Sequence, residues 1–150
     1  MLSSLTMLVT YVVLGLPAGA VGIPWALLTG DIEREQEAWL VATQSDALRS
    51  DVLVVPHHGS KTSSTPAFID AVRPATAIFQ AGYRNRFGHP VPLVRARYDE
   101  RHVATIDSPG CGAWQWSSDS QTAQARQGVC ERDSGARYWH HGSHKEVDQR

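Results

Sequence analysis

Cysteine is nearly missing from this chain, with Cys111 and Cys130 its only two. Two are too few for a disulfide scaffold, and neither sits in a CxxC pair of the kind that marks zinc or redox sites. They stand either as one bridge in an oxidising compartment or as two free thiols. An excess of positive charge is missing as well. A net charge of -1 argues against a general polyanion binder, because sequence-independent nucleic-acid affinity comes from clustered cations that displace counterions. Any nucleic-acid contact must therefore be local. Such a cluster exists, since Arg84, Arg86, Arg95, Arg97 and Arg101 are offset only by Asp99 and Glu100. A solvated helix face of mixed charge produces the same pattern.

Charge of either sign is absent from Leu5 to Leu28, a length that suits a membrane span at roughly 20 residues per crossing. Gly15, Pro17, Gly19, Gly22 and Pro24 interrupt the run, and no Lys or Arg precedes it to form a signal-peptide head or set an orientation. Residues 1–24 are read as an apolar leader with three alternatives: a membrane segment, a poorly ordered leader, or a hairpin and strand packed on the domain.

What is present, in 150 residues that are 42% hydrophobic, suits one compact domain with loose ends. Trp25 to Thr29 reads as a buried strand ending at Gly30-Asp31. Asp31 is expected to cap the next helix, with Glu33 and Glu35 at its positive end and Ile32, Trp39 and Leu40 on its apolar face. Asp51 to Pro56 is a second strand, rich in β-branched residues and closed by proline. His57 to Ser64 is a polar loop. Thr65-Pro66 is a cap followed by proline at the first helical position, opening a helix that carries Phe68, Ile69 and Val72. Ala75 to Gln80 is a third strand, Ala81 to Pro90 a loop, and Val91, Val94 and Tyr98 mark another helix. His102 to Ile106 and Trp114 to Trp116 read as closing strands. Alternating strands and helices predict an α/β domain over 25–117, with a polar, loosely ordered tail over 118–150. His140, His141 and His144 in that tail suit adventitious metal binding.

Three loops follow three successive strands and carry groups favoured by metals or phosphates: Gly30-Asp31, His57-His58-Gly59-Ser60, and Arg84 to His89. Neighbouring parallel strands would bring Asp31, His57 or His58, and His89 to one rim. A carboxylate and imidazoles in that arrangement can hold divalent ions that lower the pKa of a bound water, and arginine can grip the phosphate bidentately. Each residue also has an ordinary structural use: Asp31 as a helix cap, the histidine pair as a strand terminator, His89 as the residue before a turn proline.

The strings ALLTGDIEREQEAWLV, SDVLVVPHHGSKTSS, RPATAIFQAGYRNRFGHP and DSPGCGAWQW, with a weaker echo in ARYWHH, resemble the end of ComEC family DNA-uptake proteins from about Ala26 to Trp116. The resemblance implies the C-terminal part of a metallo-β-lactamase-type αββα domain. Asp31 then matches the bridging aspartate and His57 the last histidine ligand, with His58 the fallback. His89, with Arg84, Asn85 and Arg86, matches a loop bordering the DNA phosphate, and Ser60 and Lys61 are further candidates for that contact. The family implies zinc or manganese ions, DNA as partner, a membrane channel in the parent protein, and a location at the inner membrane or its periplasmic face.

The chain departs from that pattern. The HxHxDH-like motif and further histidine that supply most of the fold's ligands would lie before Asp31, and nothing there matches them. The chain is therefore read as a fragment related to metal-dependent DNA hydrolysis, weak or inactive alone, with one sheet face left uncovered. The alternative is a non-catalytic, membrane-tethered module that contacts DNA or a partner. A small-molecule hydrolase of the same superfamily is a third reading.

Overall fold

Val52–Val54 and Thr76–Phe79 are short β-branched or apolar runs bracketed by polar turns, and they form the centre of a parallel sheet. The computed structural model describes residues 25–117 and 128–134; the apolar leader lies outside them, as do 118–127 and 135–150. The sheet contains β1 (Ala26–Leu28), β2 (Val52–Val54), β3 (Thr76–Phe79) and β4 (Ala104–Asp107), side by side in chain order and all parallel. When strand order follows chain order in one direction, crossovers of one hand all fall on the same face. Helices α1 (Arg34–Gln44), α2 (Pro66–Val72) and α3 (Pro92–Asp99) accordingly share one core with the sheet.

Register fixes which side chains meet that core. Leu27, Leu53, Ala77 and Thr105 occupy one cross-strand row, and the first three are buried against Leu40, Phe68, Ile69, Val72, Val94 and Tyr98. Each fully buried side chain of this size contributes about 1.5–3 kcal/mol. Leu28, Val54, Ile78 and Ile106 occupy the alternate row, and none of them is buried. Leu28 is 47% exposed. Val52, on that same face, is buried, so the strand period of two gives a packed face and a less covered one among the described residues.

Local signals set the helices. The Thr65 side chain accepts from the Phe68 amide and Pro66 occupies the first helical position, as the sequence predicts for α2. At α1 the structure corrects the sequence reading: the cap is Glu33, not Asp31, in a reciprocal capping box with Gln36. Trp39 also departs from expectation. It is 59% exposed, while Ile32 and Leu40 are buried. His102 lies in the turn before β4 with φ +55°, rather than inside a strand.

The Trp114 strand joins a different layer. After the short α4 (Ser108–Cys111), β5 (Trp114–Gln115) pairs antiparallel with β6 (Val129–Cys130), followed by α5 (Glu131–Ser134). Cys111 and Cys130 are disulfide-bonded, with Cα atoms 4.7 Å apart, so the bridge is the alternative realised. It ties β6, which lies in the tail expected to be loose, to the end of α4.

Candidate functional site

Val55 follows the end of the second strand, and the chain then turns through Pro56–Gly59 with His57 (φ 48°, ψ 41°) and His58 (φ 55°, ψ 17°) both left-handed. Each such non-glycine residue costs roughly 1–2 kcal/mol, so the turn persists only because its surroundings over-determine it. The His57 amide donates to the Gly30 carbonyl at 3.0 Å, which ties this turn to the loop after β1. Gly59 ties it to the loop after β3. Its φ is +83°, a Cβ there would lie 2.8 Å from Pro90 Cβ and 2.9 Å from the Phe79 ring, and its carbonyl accepts from the Val91 amide at 3.0 Å. Only glycine fits.

The three loops therefore meet at the C-terminal ends of the strands. His58 Nε2 lies 3.5 Å from Asp31 Oδ1, and His57 Nδ1 lies 3.0 Å from Glu33 Oε1. The His57 ring is 6.5 Å from that of His58 and 6.2 Å from that of His89. Asp31, His57, His58 and His89 are thus brought to one rim, but Asp31 faces the second histidine of the pair, and His57 faces Glu33. In the sequence Glu33 reads only as favourable to the helix dipole. The capping spacing to Gln36 was the available sign that its side chain turns back over the start of α1.

Burial, and then the neighbouring His57 and His58 charges, push the His89 imidazole below its ordinary pKa and favour its neutral form. His57 Nδ1 and His89 Nδ1 are buried atoms without an aligned hydrogen-bond partner among the described residues.

The two-ion centre implied by the family resemblance is not supported by this donor geometry. Among the described residues no three of His, Cys, Asp and Glu converge as metal ligands, and the donors form two separate pairs.

Beside the histidines, Gly82 to His89 form a braced loop. Asn85 Nδ2 donates to the carbonyls of Gly82 (3.1 Å) and His89 (2.6 Å), and Asn85 Oδ1 accepts from the His89 amide (3.0 Å). Asn85 thereby holds the loop, and Arg84 and Arg86 are exposed with no carboxylate partner among the described residues. Lys61 is exposed too. Ser60 is buried, its hydroxyl 3.0 Å from that of Thr62, which donates to Glu33.

The other three arginines of the cluster brace the fold. Arg95 pairs with Asp107 and lies over the Phe79 ring, Arg97 donates to the carbonyls of Ser63 and Ser64, and Arg101 binds both oxygens of Asp70. Sequence reasoning missed the buried carboxylate of Glu37, which accepts from the amides of Ser64 (2.5 Å) and Thr65 (2.8 Å) and fixes the far end of the histidine loop. Tyr98, which the sequence places on its helix, also donates its hydroxyl to Ser64, and burial drives its ionisation above the usual phenol range.

No family model matches the chain. Among curated proteins, it is 38% identical over 90 residues to Competence protein ComA of Neisseria gonorrhoeae, covering 60% of this chain and 13% of that one. It is 43% identical over 95 residues to ComE operon protein 3 of Bacillus subtilis (63% and 12%) and 42% identical over 82 residues to Recombination protein 2 of Haemophilus influenzae (55% and 10%). These homologues agree with the ComEC-type resemblance of the motifs. The chain spans only 10% to 13% of the length of these relatives.

Proposed function

We propose that the rim formed by the three strand-end loops binds the DNA backbone, in a chain related to the DNA-uptake machinery of natural competence. The carrying observation is that Arg84 and Arg86 stand exposed, with no carboxylate partner among the described residues, on a braced loop whose His89 ring lies 6.2 Å from that of His57. Arginine forks match phosphate oxygens bidentately, and on this rim they are presented on the same braced loop as His89. Two relatives carry competence-related names, which supports DNA as the ligand.

A metallo-β-lactamase-type domain is the fold this reading favours. A parallel sheet with helices on one face and an apolar row on the other suits one half of an αββα sandwich. Hydrolysis belongs to the lineage under this proposal, while this chain alone binds rather than cuts, because its acidic and imidazole donors sit as separate pairs.

Duplex binding titrated against salt tests the proposal. Affinity should fall steeply with salt, and Arg84→Ala with Arg86→Ala should lower the log–log slope by about 2, at about 0.9 per phosphate contact. In the same samples manganese or zinc should produce no cleavage that Asp31→Ala removes. Absence of binding at low salt, or a slope unchanged by the double variant, overturns the binding site; Asp31-dependent cleavage overturns the view of its chemistry.

A further inference from the structure

The arginine loop carries more than charge. Tyr83 is 69% exposed and Phe87 is 66% exposed, and they flank the same Asn85-braced turn that presents Arg84 and Arg86. Each ring has a guanidinium over it: Arg84 Cζ is 5.2 Å from the Tyr83 centroid and Arg86 Cζ is 4.8 Å from that of Phe87. Phe87 also stacks on His89, with centroids 5.9 Å apart and planes 19° apart, and His89 lies 6.2 Å from His57. A continuous ladder of flat groups thus runs from the loop tip to the carboxylate–imidazole pairs.

Large aromatic rings left in water on a rigid loop, alternating with cations, have one ligand chemistry that uses both. A base stacks on a ring, and the neighbouring phosphate takes the guanidinium. Paired bases inside a duplex already stack on each other and offer no free face, so the rings discriminate in favour of an unpaired strand. We infer that Tyr83 and Phe87 form a base-stacking platform that makes single-stranded DNA the preferred ligand of this rim. When a base covers a ring, the guanidinium above it turns to the backbone. The three Asn85 hydrogen bonds hold the loop in place beforehand, so little ordering cost falls on binding. Because every base has a π-face, the platform is tolerant of sequence.

The inference rests on reading this rim as a DNA-binding surface, and one experiment separates the two. Fluorescence anisotropy is measured for the full chain with a labelled single-stranded oligothymidine and with a labelled hairpin duplex, at fixed salt. Tyr83→Ala and Phe87→Ala should each weaken single-strand binding about tenfold or more, the range measured for loss of one aromatic–base stack. Hairpin binding should be unchanged. Tyr83→Trp and Phe87→Trp should retain the single-strand affinity, which shows that a flat ring, rather than a folding contact, is what the alanine variants lose.

Alanine variants that bind the single strand as tightly as the parent, that lose hairpin affinity to the same extent, or that tryptophan fails to rescue overturn the platform. If those results accompany normal, salt-dependent hairpin binding, the phosphate-binding rim survives and only the stacking falls. If neither DNA binds, both fall.

Discussion

On the packed face of the sheet, Leu53, Phe68, Phe79 and Tyr98 are fully enclosed; at the rim beyond the ends of the strands, His57, His58 and Arg84 hold left-handed backbone angles and Tyr83 and Phe87 stand in solvent. The first region satisfies every ordinary rule of packing, and the second breaks several of them. Left-handed backbone at His57 and His58 survives because Gly59 inserts against Pro90 and Phe79, and because the Gly30 carbonyl holds the His57 amide. The difference shows where the strain is offset: the core supplies the free energy that keeps an unfavourable, chemistry-rich edge in place.

That division can be broken from the packed side. Phe68→Ala empties a fully buried position at the centre of the core and should cost about 3–5 kcal/mol, a large share of a small domain's stability. Urea unfolding should show it, with DNA affinity lost only as the fold is lost. Changes at the rim should behave oppositely, with the Arg84 and Arg86 variants keeping stability within about 0.5 kcal/mol. A rim variant that unfolds the chain would blur the comparison.

The smallest effect belongs to the opposite end of the sheet, where Asp70 and Arg101 border a cleft with Arg73 and Val103. The Arg101 hydrogen bond is the main cause that lowers the Asp70 carboxyl below its ordinary 3.8, and partial burial opposes it. A lowered carboxyl stabilises the fold above its unfolded pKa and loses that contribution as pH falls through the folded value. Because the pair is mostly solvated, it contributes under about 1 kcal/mol. Relative to Asp70→Asn, the parent should be slightly more stable at neutral pH and should lose that margin as pH drops below about 4. Thermal melts across pH check it; a margin that persists in acid would contradict the assignment.

Much of the packed region was legible in the sequence, because period and composition express burial directly. The β-branched run before Pro56, the Thr65-Pro66 cap, and the Val94 and Tyr98 spacing all place elements that the structure contains. The rim was legible only as a set of residues. Nothing in spacing tells that Asp31 meets His58 while Glu33 meets His57, since that depends on two successive left-handed residues that histidine seldom adopts. The arginine cluster likewise looked uniform. Three members are drawn into the fold by Asp107, Asp70 and the carbonyls of Ser63 and Ser64, partners distant in sequence, while the two on the loop are exposed beside aromatic rings with no carboxylate partner among the described residues. The Cys111–Cys130 bridge depends on a chain return that two isolated cysteines do not announce.

The most direct test of the account is an amide chemical-shift map of the full chain on addition of single-stranded DNA. The largest changes should fall on residues 57–60 and 82–89, the loops that follow β2 and β3. Changes centred instead on Asp70, Arg73 and Arg101 at the other end of the strands would contradict it.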